Sequence, residues 1–309
     1  MSITTIRSAF DRLPSNVRGG IILMFAAAGF GLMVALIKLA GERIHIMQIL
    51  FVRQAVMVLI VAPTIFADFP GVLRTDRLPL QMLRIALALV AMGFGFTAVV
   101  HMPLAEVTTI GFAKSFFVTI LAIFVLNEVI GIRRWMAVII GFIGVLIVMR
   151  PGLDGFNIYG FYALIGAAGA GSVMVIIRIL TRTESATTIL AYQALGVGLA
   201  VAIPAFWYWQ MPTFVEWVLL IAIGLISYFA QMANILAWKF GEAAVMASLD
   251  YVRLIYSVIF GYFLFDALPD YGTWIGATII IVASLYTIQR ETKRRQVLVQ
   301  TAEGRGKIP

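Results

Sequence analysis

Ten runs of apolar residues, most of them long enough to cross a lipid bilayer, make up nearly the whole of this chain. They cover residues 19–40, 46–66, 80–100, 104–126, 134–148, 158–177, 186–208, 214–237, 243–265 and 271–288. A spanning helix needs about 20 such residues. Of the 309 residues 62% are hydrophobic and only 12% charged, and the mean hydropathy is +1.00. A soluble domain could not bury that much apolar surface, so the sequence predicts an all-α membrane protein with ten transmembrane helices.

The fourth and ninth apolar runs resemble each other at a constant offset of 138 residues. Residues 103–128 read PLAEVTTIGFAKSFFVTILAIFVLNE, and residues 241–266 read GEAAVMASLDYVRLIYSVIFGYFLFD. Both begin with small residues, and ionisable residues interrupt both: Lys114 in the first, Asp250 and Arg253 in the second. We therefore predict two related halves, with these two runs as their central helices.

The distribution of lysine and arginine predicts the orientation of the chain in the membrane. With the N-terminus inside, fifteen of them fall on the inner side, Arg84 among them, and only Arg43 and Arg150 fall on outer loops. Because inner loops are enriched in these residues, both termini are predicted to be cytoplasmic. Five spans per half is an odd number, so the second half must be inverted relative to the first. Inverted repeats place the substrate site of many carriers near the middle of the membrane.

The predicted organisation has four parts. A cytoplasmic N-terminal segment at 1–18 precedes a first five-helix repeat at 19–150 and a second at 157–288, and a basic cytoplasmic tail follows at 289–309. The N-terminus is polar and the first apolar run is of full spanning length, which predicts no cleavable signal peptide.

Three successive segments carry a resemblance to a known family. PLAEVT, FVLNE and RRWMAVIIGFIGVLIVMRPG resemble the EamA-type repeat of the drug/metabolite transporter superfamily. In the second half the opening Pro-Leu-Ala is replaced by Gly241-Glu242-Ala243, and Glu128 by Asp266. The resemblance covers about residues 19–288. It implies a fold of ten helices and the role of a solute carrier in the cell inner membrane, but it does not imply the substrate.

Four basic residues are predicted inside spans, namely Lys38, Arg53, Lys114 and Arg253, against Asp250 as the one deeply placed acid. A charged residue near mid-span costs roughly 2.5–3.5 kcal/mol on insertion scales and normally faces a bundle interior or a wet cavity. Lys38 lies near the end of its span, where it can reach the interface. The other three are candidate substrate-binding residues, together with Asp250.

Polar residues at helical spacing extend this candidate cavity. The added candidates are Ser115, Ser257, Gln231, Asn234, Tyr192 and Gln193. Two structural interpretations stay open beside the functional one. Asp250 and Arg253 can form an internal ion pair, and the polar stripe Ser227, Gln231, Asn234 and Trp238 can serve only for hydrogen bonds between helices, worth about 0.6 kcal/mol each.

Several classes of site lack support in the sequence. There is no cysteine, there are two histidines, and Asp266 and Asp270 form the one close acidic pair, so no metal site, cofactor or catalytic residue is predicted. Gly166-Ala-Ala-Gly169-Ala-Gly171 and the other glycine patterns lie inside apolar runs, where they allow helices to approach closely. The net charge of +8 is spread over loops, which does not favour nucleic acid as a partner. The expected partners are a small solute and the lipid bilayer, and a homodimer remains open.

The sequence thus predicts a secondary transporter, not an enzyme. An excess of positive charge in the membrane suits a solute with a carboxylate, such as an amino acid or a related metabolite, and export is the commoner role that the resemblance suggests. The alternative is an importer of a cofactor-like or vitamin-like solute such as S-adenosylmethionine or riboflavin. A membrane transferase enzyme is a third, disfavoured alternative, because the acids and histidines that it needs are not clustered.

Overall fold

The fold is that of a helical bundle in a computed structural model, which describes residues 13–68, 71–126, 132–150, 157–180, 183–240, 245–246 and 249–286. Eleven helices are defined within these ranges. They are α1 Ser15–Ala40, α2 Ile46–Ala67, α3 Leu78–His101, α4 Leu104–Gly111, α5 Lys114–Leu126, α6 Ile132–Met149, α7 Ile158–Leu180, α8 Ala186–Trp207, α9 Phe214–Phe240, α10 Val252–Phe265 and α11 Tyr271–Tyr286. A short 3-10 helix, Gly71–Leu73, precedes α3. No strand is present in the described ranges.

Seven helical segments are long and apolar enough to cross a membrane, and three shorter apolar helices accompany them. The shorter ones are Trp135–Met149, Val252–Phe265 and Tyr271–Tyr286. The all-helical class is confirmed, while the count of ten spans stays a prediction. Glu128, Glu242 and the predicted tail at 289–309 lie outside the described residues.

The helix contacts follow the repeat: when each helix is replaced by its counterpart 138 residues away, one packed pair becomes another. The contact of α1 with α9 corresponds to that of α7 with α3, and the contact of α5 with α7 corresponds to that of α10 with α1. The pair α2–α8 corresponds to itself. This pair runs antiparallel, because Gln48 of α2 binds the backbone of Gln210 just beyond the end of α8, whereas Gln54 binds the backbone of Gln193 earlier in α8. An inverted repeat requires this arrangement.

Glycines bring the central helices into close contact. A methyl group added at Gly166 of α7 would lie 2.9 Å from the Cα of Gly95 on α3, and one at Gly171 would lie 2.8 Å from the carbonyl oxygen of Lys114. The glycine pattern of α7 therefore packs this helix against α3 and against the first turn of α5. Small residues serve the same purpose in other membrane bundles.

Candidate functional site

The two central helices of the repeat are both interrupted, at positions related by the 138-residue offset. The helix from Leu104 ends at Gly111 and resumes at Lys114, and residues 250–251 form a turn just before α10. Leu104–Leu121 still qualifies as one candidate membrane span, so the span predicted at 104–126 is found with a turn at residues 112–113 that the sequence did not predict; the described part of 243–265 has its turn at 250–251. Discontinuous helices in corresponding positions of two inverted halves mark the substrate site in several transporter folds.

At each interruption the backbone hydrogen bonds span three residues instead of the four of an α-helix. The amide of Ala113 donates to the carbonyl of Ile110 at 2.9 Å, and the amide of Arg253 donates to that of Asp250 at 3.1 Å. These are three-residue spacings, typical of a 3-10 turn. Such a turn rotates the residues after it around the helix axis, so that Lys114 and Arg253 project from the first turn beyond each interruption.

Lys114, Asp250 and Arg253 form one ionic cluster between the two interrupted helices. Lys114 Nζ donates to Asp250 Oδ2 at 3.2 Å. Arg253 Nε lies 2.6 Å from Asp250 Oδ1, although the two atoms are not aligned for a hydrogen bond. One carboxylate is shared by two cations, so the cluster carries a net positive charge. The internal ion pair considered from the sequence exists, and Lys114 completes it from the other half of the chain.

The cluster lies inside the bundle and yet remains accessible. Arg253 Nη2 donates to Asn234 Oδ1 on α9 at 3.4 Å, and its guanidinium lies 4.4 Å from the ring centre of Phe30 on α1. The side chains of Lys114 and Arg253 nevertheless keep 22% and 21% of their exposure. A methyl group added at Gly111, beside the first interruption, would meet no atom within 4 Å. The charges are therefore surrounded by helices but only partly covered by them.

Hydroxyl groups and aromatic rings line the same junction. Ser115 Oγ donates to the carbonyl of Phe112 at 2.9 Å and lies 3.1 Å from Ser284 Oγ on α11. The rings of Phe112 and Tyr251, one from each interruption, have centroids 4.7 Å apart. The structure thus places an aromatic contact directly beside the ionic cluster.

The predicted residue Ser257 joins the two interrupted helices at a second point. Its hydroxyl lies 2.7 Å from that of Thr108 on α4. Since Thr108 precedes Lys114 while Ser257 follows Asp250, the two helices run antiparallel. Ser257 is buried, so it contacts the scaffold of the site more than its open space.

Arg53 occupies a separate position on α2. Its Nε donates to Ser227 Oγ of α9 at 2.8 Å, Nη1 lies 3.4 Å from the sulfur of Met92, and the guanidinium lies 5.7 Å from the ring centre of Phe96. Gln231, one turn along α9, places its Nε2 3.9 Å from the sulfur of Met57. Ser227, Gln231 and Asn234 therefore form the polar stripe predicted for α9, while the side chain of Trp238 lies outside the described residues.

Tyr192 and Gln193 lie in a region of polar contacts between the two halves of the chain. One group of these contacts is here called the second latch. It comprises Thr75, Gln81, Arg84, Glu184, Ile189 and Gln193. Thr75 and Gln81 both donate to the carboxylate of Glu184, and Gln193 accepts from Arg84. Nearby, the Tyr192 hydroxyl donates to the carbonyl of Leu73 at 2.8 Å. The structure does not bring these residues to the ionic cluster.

Arg84, which the distribution of basic residues assigns to the inner side, is buried on α3 with 1% of its surface exposed. Its Nη1 donates to the carbonyl of Ile189 at 2.9 Å, and Nη2 donates to Gln193. An arginine near a predicted helix start looks like a flanking charge, and only its partners on α8 show otherwise. No signal in the sequence identifies those partners.

A first latch joins the other ends of α2 and α8. It comprises Arg43, Gln48, Gln210, Met211 and Glu216. Gln48 and the backbone of Gln210 exchange two hydrogen bonds of 2.8 and 3.0 Å, and Arg43 pairs with Glu216. The exchange of halves that relates the helix pairs also relates the two latches, since each joins a loop next to α2 with a loop next to α8.

Lys38, Arg150 and Asp270 have structural partners. Lys38 Nζ donates to the carbonyls of Val99, Val100 and Met102 at 2.7–3.2 Å, so it binds the end of α3. Arg150 pairs with Asp270, whose Oδ1 accepts from the amide of Thr273. Among the described residues no three histidine or acidic side chains are placed to hold a metal ion.

Comparison with known proteins identifies the family of the chain. The model of the EamA-like transporter family matches twice, at residues 17–150 and 157–289. The S-adenosylmethionine uptake transporter of Rickettsia bellii is 32% identical over 257 residues, covering 83% of this chain and 88% of the relative. The riboflavin transporter of Brucella anthropi is 29% identical (82% and 92% covered). The pseudopaline exporter CntI of Pseudomonas aeruginosa is 26% identical (87% and 95% covered).

The fold also occurs among solved structures. One crystal structure superposes with a TM-score of 0.59 at 15% identity, covering 91% of this chain and 99% of the other. At that identity the likeness concerns the fold alone. The two family matches account for both halves of the chain and agree with the symmetry of its helix contacts. The chain is thus a multi-pass membrane protein of the EamA-like transporter family.

Proposed function

We propose that this protein is a secondary carrier that moves a small, carboxylate-bearing organic metabolite across the inner membrane by alternating access. The observation that carries the proposal is the net-positive cluster of Lys114, Asp250 and Arg253 at the paired helix interruptions. The accessible space beside Gly111 gives a solute room to reach it. Ser115 and Asn234 supply further polar contacts, and Phe30, Phe112 and Tyr251 supply aromatic surface.

The chemistry of recognition follows from the shared carboxylate. A solute carboxylate that approaches Lys114 or Arg253 competes with Asp250 for the same donors. Binding then releases one contact between the two interrupted helices and cancels the net charge of the cluster. Because α4 and α5 belong to one half and α10 to the other, loss of that contact allows the halves to move relative to one another.

Direction and solute define two candidate functions. Export of an amino-acid-like metabolite is our first proposal, and the kinship with an exporter supports it. Uptake of a cofactor-like solute is the second, supported by the kinship with transporters of S-adenosylmethionine and riboflavin. S-adenosylmethionine carries an amino-acid carboxylate, so the same cluster suits both.

The test begins with a melting screen of the purified protein against amino acids, S-adenosylmethionine, riboflavin and organic acids. A ligand at 100 times its dissociation constant adds about 2.7 kcal/mol to the stability of the folded protein. Stabilising compounds are then assayed for flux in proteoliposomes with the solute loaded on either side. Stabilisation only by compounds without an acidic group would contradict the proposed solute class.

A further inference from the structure

Arg53 is a buried cation whose donors are mostly unused. Only 3% of its surface is exposed, and its described partners are one hydroxyl and one thioether sulfur. A guanidinium has five N–H donors and no acceptor. Nη2 and one proton of Nη1 therefore have no partner among the residues that the structure describes.

Four other cations inside the described bundle each contact a carboxylate, carbonyl or amide oxygen. Lys114 and Arg253 share Asp250, Lys38 binds three carbonyls, and Arg84 lies in a latch that contains Glu184. Within the described ranges no carboxylate pairs with Arg53. An arginine does not discharge by losing its proton, and a buried charge is retained only where it is paired. Among the described residues the charge of Arg53 is thus left without an anion.

We propose that Arg53 is a second anion-binding position, which receives either a carboxylate of the transported solute or a small inorganic anion. Ser227 holds Nε and so fixes the plane of the guanidinium, leaving the Nη edge for a bidentate contact with a carboxylate. Met92 and Phe96 border the same group. A thioether and an aromatic ring are soft, apolar surfaces that suit the carbon skeleton of an organic anion.

The two cationic positions are spaced along one helix. Ser227 binds Arg53 and Asn234 binds Arg253, and these two anchors are seven residues apart on α9, which is about 10 Å along the axis. The class of solute that engages both positions is an elongated organic anion with acidic groups near its two ends. This extension to the solute rests on the proposed function, whereas anion binding at Arg53 does not.

The experiment measures the melting temperature of the full-length protein in detergent, at constant ionic strength, with chloride, linear monocarboxylates and linear dicarboxylates of increasing length. In the wild-type protein we expect a dicarboxylate of one particular length to bind at least tenfold more tightly than the monocarboxylate of equal length. Arg53→Gln should remove that preference while melting, without ligand, at or above the wild-type temperature, because it removes an unpaired buried charge. Arg43→Gln, which alters an exposed arginine, is the matched control and should keep the preference.

Each outcome has a defined consequence. A melting shift with chloride that depends on Arg53 assigns the position to an inorganic anion, and dependence on dicarboxylate length assigns it to the solute. If Arg53→Gln fails to fold, Arg53→Lys keeps the charge without the planar fork and should weaken anion binding at least threefold. The proposal would be overturned if anions shifted the melting temperature equally in the wild-type protein and in the folded Arg53 variants, or shifted it in neither. The proposed role of Lys114 in transport does not depend on that result.

Discussion

At the scale of single residues, Asp250 is the centre of the site, because two cations from different halves of the chain depend on it. The sequence indicated that Lys114, Asp250 and Arg253 lie too deep in the membrane to be surface charges. It could not show that one acid serves both cations, because Lys114 and Asp250 are 136 residues apart.

Replacement of Lys114 by alanine tests the role of the cluster in solute binding. The variant should insert and fold, because it removes a costly charge and leaves Asp250 paired with Arg253. Solute affinity should fall at least tenfold, which is about 1.4 kcal/mol, and Lys114→Arg should restore only part of it. Melting shifts and proteoliposome flux of the purified variants measure both effects. Unchanged affinity in Lys114→Ala would remove this residue from the site.

Replacement of Asp250 by asparagine leaves two cations without their shared carboxylate. Breaking a buried ion pair typically costs about 3–5 kcal/mol, so the melting temperature should fall clearly. The double variant Asp250→Asn with Arg253→Gln should recover part of the loss, and only part, because Lys114 stays unpaired. Losses that simply add in the double variant would mean that the two residues do not interact.

His45 gives the protein a pH-dependent contact outside the spans. Its Nδ1 accepts from the amide of Met47 at 3.3 Å at the start of α2, and its ring stacks on Tyr208. Burial lowers the pKa of His45 below 6.5. A lowered pKa means that the folded state favours the neutral ring, so stability is present above about pH 6.5 and is lost as pH falls through the folded-state pKa. His45→Asn keeps a capping side chain that does not titrate, and its melting temperature should fall less than that of the wild type between pH 8 and pH 5.

At the scale of elements, the sequence identified the helices well and their interruptions not at all. Apolar run length predicts a spanning helix, but the change from four-residue to three-residue hydrogen bonds at Phe112 and Asp250 leaves the run apolar. The two turns also contact each other, through the rings of Phe112 and Tyr251, and a contact between residues so far apart in the chain leaves no pattern in the sequence. The partners of Arg84 could not be predicted either, because they lie on another helix, more than 100 residues away in the sequence.

Two glycines beside the first interruption provide a matched test of its geometry. Gly171→Ala would bring a methyl group within 2.8 Å of the Lys114 carbonyl, and such overpacking typically costs about 1–3 kcal/mol. Gly111→Ala meets no neighbouring atom, so the melting temperature should stay constant or rise. A larger residue in Gly111→Leu should keep the fold and lower flux, because its side chain enters the open space. Normal flux in a folded Gly111→Leu variant would show that the solute does not use this space.

At the scale of the whole molecule, the repeat predicted from one offset of 138 residues is visible in the exchange of helix pairs and latches. No pattern in the sequence indicates the latches, since their members are single polar residues in loops and in the helices next to them. The orientation of the bundle in the membrane stays a prediction from the distribution of lysine and arginine, and the boundaries assigned to the two repeats stay predictions as well.

The latches have a consequence for how the bundle can open. They join the segments next to α2 and α8 at both ends of these helices. The interrupted helices of the two halves meet instead at the ionic cluster, at the hydroxyls of Thr108 and Ser257 and at the rings of Phe112 and Tyr251. Relative motion of the halves is therefore expected to turn about a pivot along α2 and α8. The chain contains no cysteine, so thiol crosslinkers will report only engineered pairs. Crosslinking Gln48→Cys to Gln210→Cys should leave flux intact, whereas crosslinking Thr108→Cys to Ser257→Cys should stop it. The reverse pattern would place the pivot between α4 and α10 instead.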